Sequence, residues 1–417
     1  MLRTSLRTGG VQLLSTSKRS LVRRPSVVLA AWCITRLPAY LLLDLRPTRN
    51  GDVMTYQGWL RFFVHGDFPV SDPRWQYPPG AAAVLSLPHL LPGSYIGSFF
   101  RLALVADLAI TLVVLAMGIN RGSWLGCWLW TLGLPILGST PLGRFDVFPT
   151  LCAVIALSLA GTRFGLGFFG GLGATVKVWP VVVVFAARAG YGWRVLLGVV
   201  IGAGGLMGCY LIATTRSLGF IRNQAARGLE IESVGAVPFL WLHAIGLWHG
   251  VQVREYGAVD LVGAGIRPVS TALVGATVLA LGLLAWWRWR SRWRLEQCVD
   301  AALVATMIAV TTSRVLSPQY LIWLLGVAAC ALASPRSSQR RAAAFLVVAV
   351  VFTLIDYPIL YHQLRSFGLV AIAVVSLRDL ALVAATCAGA TGLWRASRGG
   401  PGAEQFPALP AAGCAAP

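Results

Sequence analysis

Apolar runs recur along the chain from residue 26 to residue 394, separated by short polar turns rich in arginine. A bilayer's hydrocarbon layer is about 30 Å thick and takes about 20 apolar helical residues to cross. The runs at 27–45, 96–117, 124–138, 147–159, 195–213, 270–287, 299–312, 320–333, 342–355 and 368–390 are read as spans. The piece 79–91 is shorter and broken by prolines, which suits an interfacial or half-inserted segment. Segment 164–187 has Arg163 before it and Arg188 and Arg194 behind it, all favouring one side of the membrane. It is read as a re-entrant or broken pair of half-helices, with Lys177 and Pro180 near the break. The pattern predicts an all-α polytopic membrane protein of about 11–12 transmembrane or re-entrant helices with external loops.

Composition agrees with that reading. Of 417 residues, 57% are hydrophobic and 12% charged, and the mean hydropathy is +0.71, too apolar for a soluble domain of this length. The formal charge of +20 raises the question of a nucleic-acid partner, but the charge is not gathered on one element. It falls in clusters between spans: Lys18, Arg19, Arg23 and Arg24; Arg188 and Arg194; Arg288 to Arg294; Arg336, Arg340 and Arg341; Arg395 and Arg398. This is the positive-inside pattern, and no nucleic-acid partner is expected.

The clusters place both termini in the cytoplasm and the loops at about 46–79 and 214–265 outside, as in a multi-pass protein of the plasma membrane. All five histidines (65, 89, 243, 249, 362) then fall at or beyond the external interface. The chain divides into a basic N-terminus (1–26), a membrane domain (27–393) and a disordered tail rich in Pro, Ala and Gly (394–417). The N-terminal segment precedes a long apolar run with no small-residue cleavage site, so it is read as leading into a first span. The eight cysteines show neither a disulfide framework nor a metal spacing.

Chemistry concentrates in the first external loop, where Asp52, Asp67 and Asp72 stand with Tyr56, Trp59, Trp75 and Tyr77. Carboxylates accept hydrogen bonds from sugar hydroxyls and aromatic faces stack on sugar C–H faces. An interfacial aromatic belt with solvated acids is the competing reading. Asp52 is the candidate general base, able to take the proton of an attacking hydroxyl. Asp67 and Asp72 neighbour Gly66, Pro69 and Pro73 and suit turn capping.

Lys177 is one of two lysines beside 33 arginines and sits inside an apolar run. An ammonium there must meet a partner or a wet cavity, and a lipid phosphate is a natural partner; snorkelling to an interface is the alternative. Arg144 and Asp146 in GRFDVFP, and Arg314, Gln319 and Tyr320 in SRVLSPQYLIW, stand at external span ends. Arginine binds phosphate through paired donors, though either group would also serve as an interfacial anchor. Arg36, Arg101, Asp107, Arg378 and Asp379, within or near spans, are explained by structural pairing, and His243 is a candidate donor-site group, although a lone external histidine more often has no special role.

These motifs together resemble the membrane-embedded glycosyltransferases of the GT-C superfamily, in particular glycosyltransferase family 87, the polyprenyl-phosphate-mannose-dependent mannosyltransferases of actinobacteria. The resemblance rests on GDVMTYQGW after the first span, WQYPPG closing the first loop, GRFDVFP, GLGATVKVWPVVV and SPQYLIWLL. It implies a GT-C-type bundle and inverting transfer of a sugar, expected to be mannose, from a polyprenyl-phosphate donor. The acceptor would be a lipid-linked or cell-envelope glycan on the outer face.

In that scheme Asp52 is the base and Lys177, Arg144 and Arg314 stand near the donor phosphate, with Gln319, Tyr320, Tyr56, Tyr77 and His243 around the donor. The superfamily often carries a second acid directly beyond the first. None follows Asp52 here, so a divalent metal stays open and no cofactor or metal ligand is assigned.

Two other functions fit a membrane protein of this composition. A transporter or flippase of lipid-linked sugars would place polar groups near the midplane with access from both sides, whereas here they gather at one face, and no strong internal repeat is present. A non-catalytic assembly partner would leave Asp52 dispensable.

Overall fold

The structure, a computed structural model, describes residues 22–45, 51–188, 190, 192–214, 216–291 and 293–398. Lys18, Arg19, Arg292, Cys414, the first polar residues of the first loop and nearly all of the expected tail lie outside the described residues.

Helices α1 (Pro25–Leu45), α2 (Gly51–Phe63), α3 (Gly80–Ser86), α4 (Tyr95–Arg121), α5 (Leu125–Gly133) and α6 (Val147–Ser158) make the first half of the bundle. The caps explain why α4 runs its full length: Ser94 Oγ accepts from the Gly97 amide at 3.1 Å, and Gly122 ends the helix at φ 85°. The buried ion pair Arg36–Asp107, 2.8 Å, fastens α1 to α4, and Trp32 and Trp130 also donate to Asp107 at 3.0 and 2.8 Å. Arg101, by contrast, donates to the Pro92 carbonyl and Ser98.

Segment 164–187 forms a broken hairpin. Helix α7 (Phe164–Val176) stops where Lys177 turns extended (φ −152°, ψ 134°), and a 3-10 limb, Trp179–Ala186, follows with Pro180 in its first turn, where no amide is needed. A Cβ on Gly198, near the start of α8 (Gly192–Ala213), would lie 2.4 Å from the Phe164 carbonyl. At the other end, the Ala187 carbonyl accepts from Arg288 at 2.5 Å. The segment therefore returns to the side it leaves from, with Lys177 at its tip.

After α8 come α9 (Gly219–Ala226), α10 (Val237–Ala244) and, among them, the strands β1 (Leu229–Glu230), β2 (Val251–Glu255) and β3 (Ala258–Val262), antiparallel in the order β1-β3-β2. The sheet is a small addition to the expected all-α architecture. It has its own core, Leu229, Ile231, Leu240, Leu261, Ile372 and Val375 among its members, separate from the main core of the bundle. The long loop is thus a folded cap.

The last helices are α11 (Ile266–Arg290), α12 (Leu295–Thr311), α13 (Tyr320–Leu332), α14 (Arg340–Leu354) and α15 (Leu369–Arg398). α12 and α13 are buried on nearly every face; α13 is apolar all round, while α12 buries Gln297 and Asp300 near its start. Arg378 of α15 is fully buried and donates to Asp379, Asp356 and Glu232 at 2.9, 2.8 and 3.3 Å, and to the Glu232 carbonyl, fastening the cap to the bundle. Among the described residues five helices are long and apolar enough to cross a membrane: α4, α8, α11, α14 with its continuation to Leu364, and α15. Most of the remaining apolar helices are shorter than α1, and α6 and α7 at roughly 18–20 Å fall short of a 30 Å hydrocarbon layer. Their ends carry polar residues into the depth of the bundle.

Candidate active site

Asp146 stands at the start of α6 and Lys177 at the tip of the hairpin. The Lys177 ammonium donates to Asp146 Oδ1 at 2.6 Å, and Trp323 Nε1 donates to the same oxygen at 2.7 Å. Lys177 Nζ also lies 5.0 to 5.7 Å from the ring centres of Phe145, Trp323, Tyr77 and Tyr320. Aromatic faces and a carboxylate together compensate an ammonium removed from water.

Two residues before Asp146, Arg144 is extended between a short turn and α6 and pairs with Asp52 at 2.8 Å. Asp52 occupies the first turn of α2, where a carboxylate is favoured by the helix dipole. One turn on, Tyr56 is buried with its ring edge-on to Phe145 at 5.5 Å, and Tyr77 meets Phe145 from another side at 4.7 Å. Phe145 is thus the packing centre that fixes Arg144 on one flank and Asp146 on the other.

Two chambers meet at Asp52 and Arg144. The outer, about 380 Å³, also reaches Glu230, Glu232, Arg254, Tyr357 and Arg365. The inner, about 90 Å³, reaches Tyr56, Tyr77, Lys177, Arg227 and Tyr320. Gln319, Ser317, Arg74 and the β2–β3 turn at Gly257 line both. Gln319 Oε1 and Arg227 Nε are buried without a partner among the described residues.

The fold therefore brings together Asp52, Tyr56, Tyr77, Arg144, Lys177, Gln319 and Tyr320. It does not bring in His243, whose ring stacks on Phe367 at 3.7 Å beside Trp248 and packs against the cap core. An imidazole sandwiched in that way faces neither chamber. Arg314 also stays behind the wall: its guanidinium donates to the Gln224 and Ala225 carbonyls at 2.7 and 3.4 Å, and it clamps α9 instead of lining a chamber. Asp67 accepts from the Phe68 amide and Asp72 from the Arg74 amide, both acting in turns.

Sequence reasoning missed Arg227, Glu230 and Glu232. Arg227 donates to Gln76 Oε1 at 2.8 Å and lies 3.4 Å from Glu230 and from Asp260. Glu230 accepts from Ser317 at 3.0 Å. Burial pushes the Glu230 carboxyl up to about 7, although Arg227 pulls the other way, and burial with the Asp356 charge raises Glu232 as well. The available signal was the run of charges among apolar residues at Arg227 to Glu232, unusual for a solvated loop.

Among the described residues no group of three or more His, Cys, Asp and Glu is arranged to hold a metal ion. Chemically, the site offers an accessible carboxylate, a buried ammonium, two guanidiniums and an aromatic floor. That set suits proton removal beside stabilisation of a departing phosphate.

No curated protein and no solved structure matches the chain. The sequence profile of glycosyltransferase family 87 matches residues 75–318, well over half the chain. The matched region holds Tyr77, Arg144, Lys177 and Arg227; Asp52 and Tyr56 precede it, and Gln319 and Tyr320 follow it. By that match this membrane protein belongs to glycosyltransferase family 87 and is a glycosyltransferase.

Proposed function

We propose that the enzyme transfers a sugar, expected to be mannose, from a polyprenyl-phosphate donor to a lipid-linked or cell-envelope glycan at the external face of the plasma membrane. The observation that carries this reading is the Asp52–Arg144 pair, 2.8 Å apart, at the junction of the two chambers and beside Lys177.

Asp52 accepts the proton of an acceptor hydroxyl in the outer chamber as that oxygen attacks the anomeric carbon. The bond from that carbon to the phosphate oxygen breaks, and the polyprenyl phosphate leaves with the bonding pair. Lys177 and Arg144 face the growing negative charge, the stabilisation such transfers need most. Attack from the side opposite the leaving group inverts the anomeric configuration. Tyr77, Tyr320 and Tyr56 supply aromatic surface for the sugar, and Gln319 supplies an unused acceptor oxygen. The arginine-clustered ends of the spans support the orientation that puts this site outside.

The test uses purified enzyme in nanodiscs, polyprenyl-phosphate-mannose and an envelope lipid extract. Wild type is expected to transfer mannose with inversion and Asp52→Asn to lose it while remaining folded. No transfer by wild type from any polyprenyl-phosphate sugar, or equal transfer by the variant, refutes the reading.

A further inference from the structure

At the end of the hairpin remote from Lys177, a second cavity of about 440 Å³ opens between the 3-10 limb and the end of α11. The limb's eight residues place it roughly 16 Å from Lys177 along the chain axis. Its walls are apolar, with Val184, Phe185, Ala285 and Trp289 among them, and two guanidiniums, Arg188 and Arg288, reach it. Among the described residues no carboxylate lines it. Little of α8 or α11 is buried within the protein, so the cavity opens sideways toward lipid.

Arg288 is only 8% exposed. Its terminal nitrogens donate to Ala187, Ser291 and Cys298, while its Nε–H has no acceptor among the described residues. The indole N–H of Trp293, over whose ring Arg288 lies at 4.9 Å, is buried without a partner too. A buried guanidinium N–H favours an acceptor oxygen, which a phosphate entering the cavity would supply. Arg188 is exposed and has no ion pair among the described residues, and nearby Glu296 is engaged by Arg336 at 4.0 Å.

We propose that this cavity binds an anionic phospholipid of the surrounding leaflet, its phosphate on Arg288 and Arg188 and an acyl chain against Val184, Phe185 and Ala285. A zwitterionic headgroup would bring its own cation to two arginines with no acid to receive it, so an anionic one is preferred. The exposed Trp289 lines the cavity as an amphipathic ring suited to the headgroup level. The bound lipid would brace the limb whose other end carries Lys177.

Native mass spectrometry of the full chain in detergent, with phosphatidylglycerol or phosphatidylcholine added, tests the site. Wild type is expected to retain phosphatidylglycerol about fivefold more than phosphatidylcholine. Arg188→Gln, a change on an exposed side chain, removes that preference, and Ala285→Trp, which fills the cavity, lowers retention of both lipids. Arg341→Gln removes the same charge elsewhere and leaves retention unchanged. Equal retention of the two lipids by wild type overturns the proposal. So does unchanged retention in Arg188→Gln, or an equal loss in Arg341→Gln, which would mean net charge alone draws the lipid. Should Ala285→Trp not fold, the two arginine variants decide the matter by themselves.

Discussion

Lys177 and Asp146 are joined at 2.6 Å across two elements that share no sequence neighbourhood, with Lys177 Nζ enclosed by four aromatic rings. Their side chains are 12% and 1% exposed, so neither charge is offset by water. Asp146→Asn strands the ammonium and is expected to cost about 3–5 kcal/mol. Adding Lys177→Met removes the stranded charge and recovers most of that loss. Thermal unfolding of both singles and the double in detergent measures the coupling; an Asp146→Asn protein as stable as wild type would show that the pair is not coupled.

Asp52 differs from Asp146 in being 38% exposed on its side chain. Its pair with Arg144 lies at the chamber lip, where an ion pair contributes at most about 1 kcal/mol. Asp52→Asn is therefore expected to unfold within a few degrees of wild type while sugar transfer falls roughly 10²–10⁴-fold, the usual contribution of a general base. A variant retaining a tenth of the wild-type rate would place the base elsewhere.

The long apolar helices α4, α8, α11, α14 and α15 were legible because hydropathy is a property of sequence alone, whereas the expected spans at 124–138, 147–159 and 320–333 proved to be shorter helices. The arginines at both ends of 164–187 and the lone lysine inside it suited a broken or re-entrant segment, but the sequence left open whether it spans or turns back. What was not legible is partnership. Arg36 and Asp107 are 71 residues apart and Glu232 and Arg378 are 146 apart, and nothing local pairs them. The cap was opaque for another reason. β1 has two residues, too few to show alternation, so Glu230 looked like a loop acid and not a buried one. The place of His243 was not legible either, because its stacking on Phe367 depends on a helix junction over 120 residues on.

Glu230 predicts a pH dependence. An unfolded glutamate ionises near about 4.3, whereas burial lifts this one to about 7 in the fold, with Asp260 adding to the rise and Arg227 opposing it. Between those values the folded protein keeps a proton that the unfolded chain has released. Stability from this group is thus fully present below about pH 4.3 and lost as pH rises through about 7. Glu230→Gln has no such proton, so the Tm of the variant relative to wild type should climb from pH 5 to pH 7.5 and then level off. A constant difference across that range would mean that Glu230 does not titrate there.

The Arg36–Asp107 lock lines neither chamber. Asp107 accepts from Arg36, Trp32 and Trp130, so Asp107→Ala leaves three buried donors unmatched. The expected loss is about 3–5 kcal/mol, seen as a lower Tm, while the rate per folded molecule is retained. A large fall in that rate at unchanged Tm would mean that α1 positions the site.

Gly80 tests whether the closing motif of the first loop sets the position of Lys177. It begins α3, and a Cβ built on it would lie 2.4 Å from Thr175 Oγ1 and 2.6 Å from the Thr175 carbonyl, two residues ahead of Lys177. Backbone cannot yield there as a flexible side chain would, so Gly80→Ala must push α3 away from the end of α7. A displacement near 1 Å at a catalytic group costs about 10²-fold in rate. Gly204→Ala provides the contrast, because a Cβ there meets nothing within 4 Å and alanine favours a helix. The first variant should therefore lose transfer far more than stability and the second should lose neither. If both retain full activity, the contact between α3 and α7 packs the bundle without positioning Lys177, and the aromatic cage alone must hold the ammonium.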